Sequence, residues 1–313
     1  MVSIVVHMIW LWLLAAVALA GDDCQPCHPV HVDQHARTRH AQALRPVKAT
    51  ELYRLLAARP IGEARDGFLF YYEPAGDALR VRAERGAESA DGLIEWIFGA
   101  GGQGMTPLVR AGARYLEHRI SYYPQAARFD LTLGHLPGAS PSARAALGIE
   151  QPPATLAACF ACHATATGNE IVRPGVECER CHRGAAGHAT AKGAVLNPRQ
   201  LTPREEVELC ASCHRLTPPG RADDPLNIRF QPLRLVRSRC FVSGGLRCSH
   251  CHAAHQDAVT DAAFYRQRCL QCHPASSAKG DCLPCHMPRQ AATRYLAFTD
   301  HWIRRDAGAR RRD

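Results

Sequence analysis

Apolar residues fall along this chain in three patterns, and each predicts a different kind of structure. Residues 2 to 20, VSIVVHMIWLWLLAAVALA, are an almost unbroken apolar run. Farther on, apolar and polar positions alternate in short bursts: DGFLFYYE from Asp66 to Glu73, ALRVRAE from Ala78 to Glu84, Leu93 to Phe98, and RYLEHRISYY from Arg114 to Tyr123. A period of two marks half-buried strands. The turn signals between them, Pro74-Ala-Gly-Asp77 and Gly99-Ala-Gly-Gly-Gln-Gly104, predict an antiparallel meander. From Cys159 onward neither period persists. Short helices are expected there at Pro203 to Ala211 and Asp261 to Leu270, and near the N-terminus at about Val30 to Leu44, with loops between them.

The first run closes on Ala18-Leu19-Ala20 and restarts as Gly21-Asp22-Asp23. That is the form of a secretory signal cut after Ala20, although no Lys or Arg precedes it. The alternative is an uncleaved N-terminal anchor, since a run of this length can just span a bilayer. Either reading places the remaining chain outside the cytoplasm, periplasmic or otherwise extracytoplasmic in a bacterium. Fifteen cysteines in an exported chain would ordinarily suggest a disulfide framework.

Their spacing argues otherwise. The pairs Cys24/Cys27, Cys159/Cys162, Cys178/Cys181, Cys210/Cys213, Cys248/Cys251, Cys269/Cys272 and Cys282/Cys285 are each C-x-x-C. A histidine follows every one: His28, His163, His182, His214, His252, His273 and His286. C-x-x-C-H is the attachment signature of c-type haem. Two thiols three positions apart on a helical turn face the same way, so both can form thioethers with one porphyrin, and the next residue aims its imidazole at the iron. Zinc ribbons do not require a histidine after each pair, thioredoxin-like motifs occur singly, and iron–sulfur clusters take other spacings. The seven motifs predict seven covalent haem c groups.

The second axial position decides between a carrier and a catalyst. Among the remaining histidines the candidate distal ligands are His40, His188, His255, His301, His135 and His118. His255, in Cys251-His-Ala-Ala-His255, is too close to His252 to bind the same iron but can reach a neighbouring one; His188 has the same opportunity beyond His182. His31 and His35 share one helix face, leaving open whether one of them binds, and His250 is expected not to. Met105 and Met287 are the only methionines outside the N-terminal run, which limits methionine ligation to a minor part.

These readings divide the chain into a signal or anchor (1–20), an N-terminal haem segment (21–48) and a β-rich insert without attachment motifs (49–150). A six-haem region (151–288) and a C-terminal segment with a basic tail (289–313) follow. The expected fold class is mainly α and irregular, a haem-packed core with a small antiparallel β insert (α+β). The formal net charge of +9 does not argue for nucleic acid. Seven oxidised haems, each with two propionates, would bring it to roughly +2, with arginines neutralising propionates. Cys240, the odd cysteine, is expected as a buried free thiol.

Several flanking pieces carry a resemblance. They are Cys24-Gln-Pro-Cys-His with Thr38-Arg-His-Ala41, the Gly99-Ala-Gly101 loop leading into Tyr115-Leu116, and Ser121-Tyr-Tyr-Pro124. The series continues with Cys159-Phe-Ala-Cys-His-Ala-Thr165, Gly175-Val-Glu-Cys-Glu-Arg-Cys-His182, Ser238-Arg-Cys-Phe241, Cys282-Leu-Pro-Cys-His-Met-Pro288 and Asp300-His-Trp-Ile303. In these pieces, which span most of the chain in order, it resembles bacterial multihaem cytochromes of the cytochrome c-554 type, in particular seven-haem members. Departures occur at Gly99-Ala-Gly101, Cys181-His-Arg-Gly-Ala and Cys251-His-Ala-Ala-His255, the last two of which keep the ligand positions. The resemblance implies periplasmic electron transfer through mainly bis-His haems, with His40, His188, His255 and His301 as distal ligands.

Three functions follow as expectations. The first is an electron carrier rather than a catalyst. The second is a haem oxidoreductase with one open-coordinate iron acting on a small nitrogen or sulfur compound, with His118, Arg119 or Tyr122 near the substrate. The third is a haem filament or complex subunit. Expected partners are redox proteins, a membrane quinol dehydrogenase being one option, with no nucleic acid.

Overall fold

Alternating side chains build the largest element of the molecule. The computed structural model describes residues 23–58, 60–63, 67–138, 140–218, 220–221, 224–274 and 280–305. The expected signal segment and the Arg310–Arg312 run lie outside these residues. The described chain passes through α1 (Pro29–His35), β1 (Leu44–Pro46), α2 (Leu52–Ala57) and β2 (Ile61–Glu63). It then forms β3 (Phe68–Ala75), β4 (Ala78–Arg85), β5 (Glu88–Phe98), β6 (Thr106–Ala111) and β7 (Arg114–His118). Next come β8 (Ile120–Tyr123), β9 (Arg128–Leu131), α3 (Ala143–Leu147), β10 (Gly148–Glu150) and α4 (Pro153–His163). Beyond lie β11 (Ala164–Thr167), β12 (Glu170–Pro174), α5 (Ala185–Ala191), α6 (Pro203–His214), α7 (Gln231–Leu235) and α8 (Arg239–Val242). The last elements are α9 (Ala262–Leu270), α10 (Leu283–His286), β13 (Arg289–Ala291) and β14 (Ala297–Thr299).

The expected antiparallel meander is present, but it is not a small insert. An eight-stranded antiparallel sheet runs in the order β10-β7-β6-β5-β4-β3-β2, with β1 added on β5, and three two-stranded sheets accompany it. The fold is therefore not mainly helical. The sequence expectation missed β1, β6 and β10 because they carry little period-two signal of their own. Leu-Arg-Pro and Gly-Ile-Glu are three residues long, and β6 contains Pro107. Pairing with β5 and β7 makes them strands, a tertiary effect rather than a local propensity. The expected strand from Arg114 to Tyr123 divides at Arg119, and its halves enter different sheets. The helix expected to reach Leu44 stops at His35, because Thr38 takes the His35 carbonyl with both its N–H (2.8 Å) and its hydroxyl (2.7 Å).

Phe68, Phe70 and Tyr72 on β3, Leu79, Val81 and Ala83 on β4, and Ile94 and Ile97 on β5 face one side of the sheet. Leu52 and Leu56 of α2 and Ala146 and Leu147 of α3 close that side. The other side is covered at one end by α4, whose Leu156 and Phe160 pack with Leu44 and Leu108, flanked by Trp96, Phe98 and Tyr115. α4 ends in an attachment motif, so the sheet is also a platform for the site. After Ala164, by contrast, the buried hydrophobic residues among those described are Val176, Val207, Ile228, Phe230, Leu235 and Leu296. None joins either core cluster. Among the described residues, that half of the chain contributes no hydrophobic cluster of its own. No helix among the described residues is long and apolar enough to cross a membrane.

His118 sits wholly inside the first core. Its Nδ1–H donates to the Leu147 carbonyl (2.6 Å) and its Nε2 accepts from the Tyr72 hydroxyl (2.8 Å). Burial holds its pKa down at about 4. A folded-state pKa below the unfolded value means that the unfolded chain takes up the proton first as pH falls. Stability at this site is complete above pH 6.5 and drains away between pH 6.5 and about 4, by on the order of 3 kcal/mol. Chemical denaturation followed by circular dichroism across that range should show the loss, and His118→Gln should flatten it. Equal slopes for the two proteins would exclude this origin.

Candidate functional site

Each C-x-x-C-H segment closes the same helical turn. The histidine N–H donates to the first cysteine's carbonyl in His28→Cys24 (2.8 Å), His182→Cys178 (2.8 Å), His252→Cys248 (2.9 Å), His273→Cys269 (2.9 Å) and His286→Cys282 (3.1 Å). The segments ending at His163 and His214 are the last turns of α4 and α6. An i to i+4 bond sets thiols i and i+3 on one face and puts the imidazole beside them. The sequence therefore folds locally into the geometry that two thioethers and an axial imidazole require.

All fifteen cysteines are free, so no disulfide framework forms. Among the described residues no group of three or more His, Cys, Asp or Glu is placed to hold a metal ion, and the pairs do not converge in fours as in zinc ribbons. They meet instead as single thiols from different motifs. Cys24 is a hydrogen-bond neighbour of Cys178, Cys162 of Cys213, Cys210 of Cys248, and Cys269 of Cys282. These contacts pair the first motif with the third, join the second, fourth and fifth, and pair the sixth with the seventh. Cys240 is half-buried rather than buried as expected.

The attachment thiols are not equally enclosed. Cys27, Cys181, Cys272 and Cys285, each the second cysteine of its motif, are exposed, whereas the other attachment thiols are half-buried. Protein atoms do not enclose these four thiols. The reason lies in the local structure. Cys27, Cys181 and Cys272 stand in turns outside any helix or strand, and Cys285 belongs to α10, a helix of four residues. In the first, sixth and seventh motifs it is the first thiol, Cys24, Cys269 or Cys282, that meets a neighbouring motif. By contrast, Cys162 and Cys213 end the longer helices α4 and α6 and cover each other. Exposure does not disturb the turn itself, since the Cys27 and Cys272 N–H groups donate to the Cys24 and Cys269 carbonyls (both 3.2 Å).

The imidazoles form pairs. A ligating nitrogen sits about 2.0–2.1 Å from its metal and about 1.1 Å from its own ring centre, so two imidazoles on opposite sides of one metal have centres about 6.2–6.4 Å apart. His40 and His214 are separated by 6.1 Å, His182 and His255 by 6.0 Å, and His252 and His301 by 6.2 Å. Each pair unites one motif histidine with one histidine from elsewhere, so His40, His255 and His301 are brought to the site. His255 meets His182 and not its sequence neighbour His252. Among the described residues no ring contact joins His28, His163, His273 or His286 to another histidine. His31 stands 4.8 Å from His255, too near for opposite sides of one metal.

Backbone carbonyls set the tautomers. Nδ1–H donates to a carbonyl in His163 (Ala43, 3.2 Å), His182 (Leu196, 3.1 Å), His286 (Arg304, 3.0 Å), His188 (Gly193, 3.0 Å) and His301 (Thr299, 2.9 Å). In His214 it donates to Gln231 Oε1 (3.2 Å). An engaged Nδ1 leaves the Nε2 lone pair for a metal. Burial disfavours the charged form of His40, His163, His252 and His255, lowering their pKa values, and brings that of His301 down to about 4.

Two other candidates lie elsewhere. His118 has both ring nitrogens committed within the sheet, so neither is free for iron. His135 is buried with no hydrogen bond to either ring nitrogen, and its Nε2 lies 3.5 Å from Glu117 Oε2. The residues expected near a substrate are likewise packed: Tyr122 lies against Phe129, and Arg119 donates to the carbonyls of Leu136 and Gly138. His35 bonds the Val176 carbonyl through Nε2, and His250 accepts from the Arg247 N–H.

The chemistry of the donors fits haem. The Nε atoms of Arg173, Arg180 and Arg229 are buried without an acceptor, and Arg180 belongs to a motif itself. Guanidinium N–H groups left unsatisfied in this way suit the propionates of a porphyrin.

No family model matches the chain, and no curated protein matches it. Among solved structures, the crystal structure of outer cell wall cytochrome OcwA aligns at 13% identity with a TM-score of 0.37, over 62% of this chain and 36% of that one. The chain thus spans about a third of that protein's length, and a likeness this faint does not establish a common fold.

The His40 segment owes its position to a glycine. Val176 N–H donates to the His40 carbonyl (2.9 Å), and a Cβ on Gly175 would lie 2.0 Å from the Ala41 oxygen. Gly175 also has φ +83°, which side chains disfavour. Gly175→Ala should lower stability by at least about 2 kcal/mol, read as a drop in melting temperature. An unchanged melting temperature would show that this approach is not constrained.

Proposed function

We propose that this chain is an extracytoplasmic electron carrier that binds seven c-type haems covalently. The observation that carries the reading is the three histidine pairs at the separation of two axial ligands on one metal, each with one member inside a C-x-x-C-H turn. On this reading His40 completes the coordination of the His214 iron, His255 that of the His182 iron, and His301 that of the His252 iron. His188, with Nδ1 already engaged, is the candidate for one of the remaining irons. Haem supplies a one-electron iron couple; the polypeptide supplies its spacing, its axial ligands and the polarity around it.

The thiol contacts support a conduit. Cys24–Cys178 links the first motif to the third, Cys162–Cys213 and Cys210–Cys248 join the second, fourth and fifth, and Cys269–Cys282 joins the sixth to the seventh. Electrons would enter and leave through redox-protein partners at the first and last motifs, where Cys27 and Cys285 are exposed. Where two imidazoles take both axial positions of an iron there is no open position for a substrate, so each of the three pairs favours transfer over catalysis.

Protein matured in a host with cytochrome c assembly machinery should contain seven haems per chain by pyridine haemochrome and intact mass. Bare polypeptide would sink the proposal. Paramagnetic resonance of the oxidised protein should be low-spin, whereas a stoichiometric high-spin signal would mark an open iron and favour the oxidoreductase. His40→Ala, His255→Ala and His301→Ala should each convert one low-spin centre to high-spin without changing the haem count. Spectra that stay low-spin in all three would refute the pairing.

A further inference from the structure

The C-terminal strap at 300–304 carries one member of a histidine pair and touches a second motif histidine. We propose that Asp300 is a positioning residue shared by two irons, those bound by His252 and His286; this rests on the haem reading above. Asp300 has no exposed surface. Its carboxylate accepts from Arg234 Nε (2.9 Å) and Nη2 (2.8 Å), Arg304 Nη1 (2.8 Å), the Trp302 N–H (2.9 Å) and Gln290 Nε2 (3.1 Å).

Five donors converge on one buried carboxylate and tie the strap to Arg234 and Gln290. Ser238, also without exposed surface, grips it a second time. Its hydroxyl donates to the His301 carbonyl (3.1 Å) and accepts from the Ile303 N–H (2.8 Å). The guanidinium groups of Arg237 and Arg304 lie 3.9 and 4.3 Å from the centre of the Trp302 ring, holding the residue after His301. Burying a carboxylate between two arginines is weak evidence for added stability, because desolvation offsets much of the attraction. It is a strong means of fixing position.

Both ends of the strap reach a ligand. His301 follows Asp300 directly and stands 6.2 Å from His252. At the other end, the Arg304 carbonyl accepts the Nδ1–H of His286 (3.0 Å), while the Arg304 side chain is tied to Asp300. The Nδ1–H bond of an axial histidine sets its orientation and basicity. One carboxylate thus governs the distal ligand of one iron and the carbonyl partner of the proximal ligand of another.

Asp300→Asn keeps the shape and removes the charge. In the haem-loaded protein it should alter the resonance signal that His301→Ala identifies, and shift two components of the redox titration, leaving the others superimposed. A residue that merely staples the fold would lower the melting temperature without moving those components. Full haem content with resonance and titration curves superimposed on the parent's would overturn the proposal. Should Asp300→Asn fail to fold, Arg234→Lys keeps the charge but loses the two-pronged bond, and must move the same two components; superposition there is equally fatal. Missing haem in the unmutated protein would defeat the functional reading instead, so the two failures are distinguishable.

Discussion

A single backbone hydrogen bond, repeated at every attachment motif, organises this molecule. When the histidine N–H reaches back to the carbonyl four residues earlier, two thiols and one imidazole share a face. The turn needs no support from distant residues, so it can form in a loop, as at His182 and His252, or at a helix end, as at His163 and His214. What such a turn cannot supply is the opposite side of the metal. On the proposed reading, that second imidazole is delivered by another part of the chain.

On that reading the eight-stranded sheet is the rigid part of the delivery. Its first face is a conventional core in which Phe68, Phe70, Leu79, Val81 and Ile94 are sealed by α2 and α3. Its second face receives α4, and Phe98 touches both Phe160 and the His163 ring. The β1–β5 pairing brings Leu44 opposite Phe98. The Gly99 N–H donates to the Ala43 carbonyl (2.8 Å), so the turn that carries His40 is anchored at the same sheet end. A sheet is suited to this because its cross-strand bonds resist the small displacements that would spoil an axial ligand's aim.

Elsewhere the polypeptide is thin. Beyond α4 its apolar side chains enclose little, while buried arginine nitrogens lack acceptors and lone carbonyls hold the imidazoles. Such a surface is poorly matched to itself and well matched to a flat apolar group with anionic edges. On the proposed reading, cofactors complete the interior and the arginines answer their propionates. The same arginines make the bare sequence strongly basic without implying an affinity for nucleic acid.

The seven C-x-x-C-H turns were legible in the sequence because their spacing is local, and local spacing survives any fold. Their burial was not legible: Cys27, Cys272 and Cys285 obey the same spacing as Cys162 and Cys213, yet only the latter two end long helices that meet. Alternation revealed β3, β4 and most of β5, since period two is also a local property. It did not reveal the size of the sheet: β1, β6 and β10 become strands through their partners, and the expectation of a mainly helical chain failed on them. Among the distal candidates, composition could not separate His301 from His118. One lies opposite a motif histidine, and the other is hydrogen-bonded on both sides within a core. The sequence by itself determined the local turn that sets two thiols and one imidazole on a common face, because those groups lie within five residues. Only the tertiary structure decided which histidine faces which, because no spacing rule along the chain governs two rings contributed by distant segments.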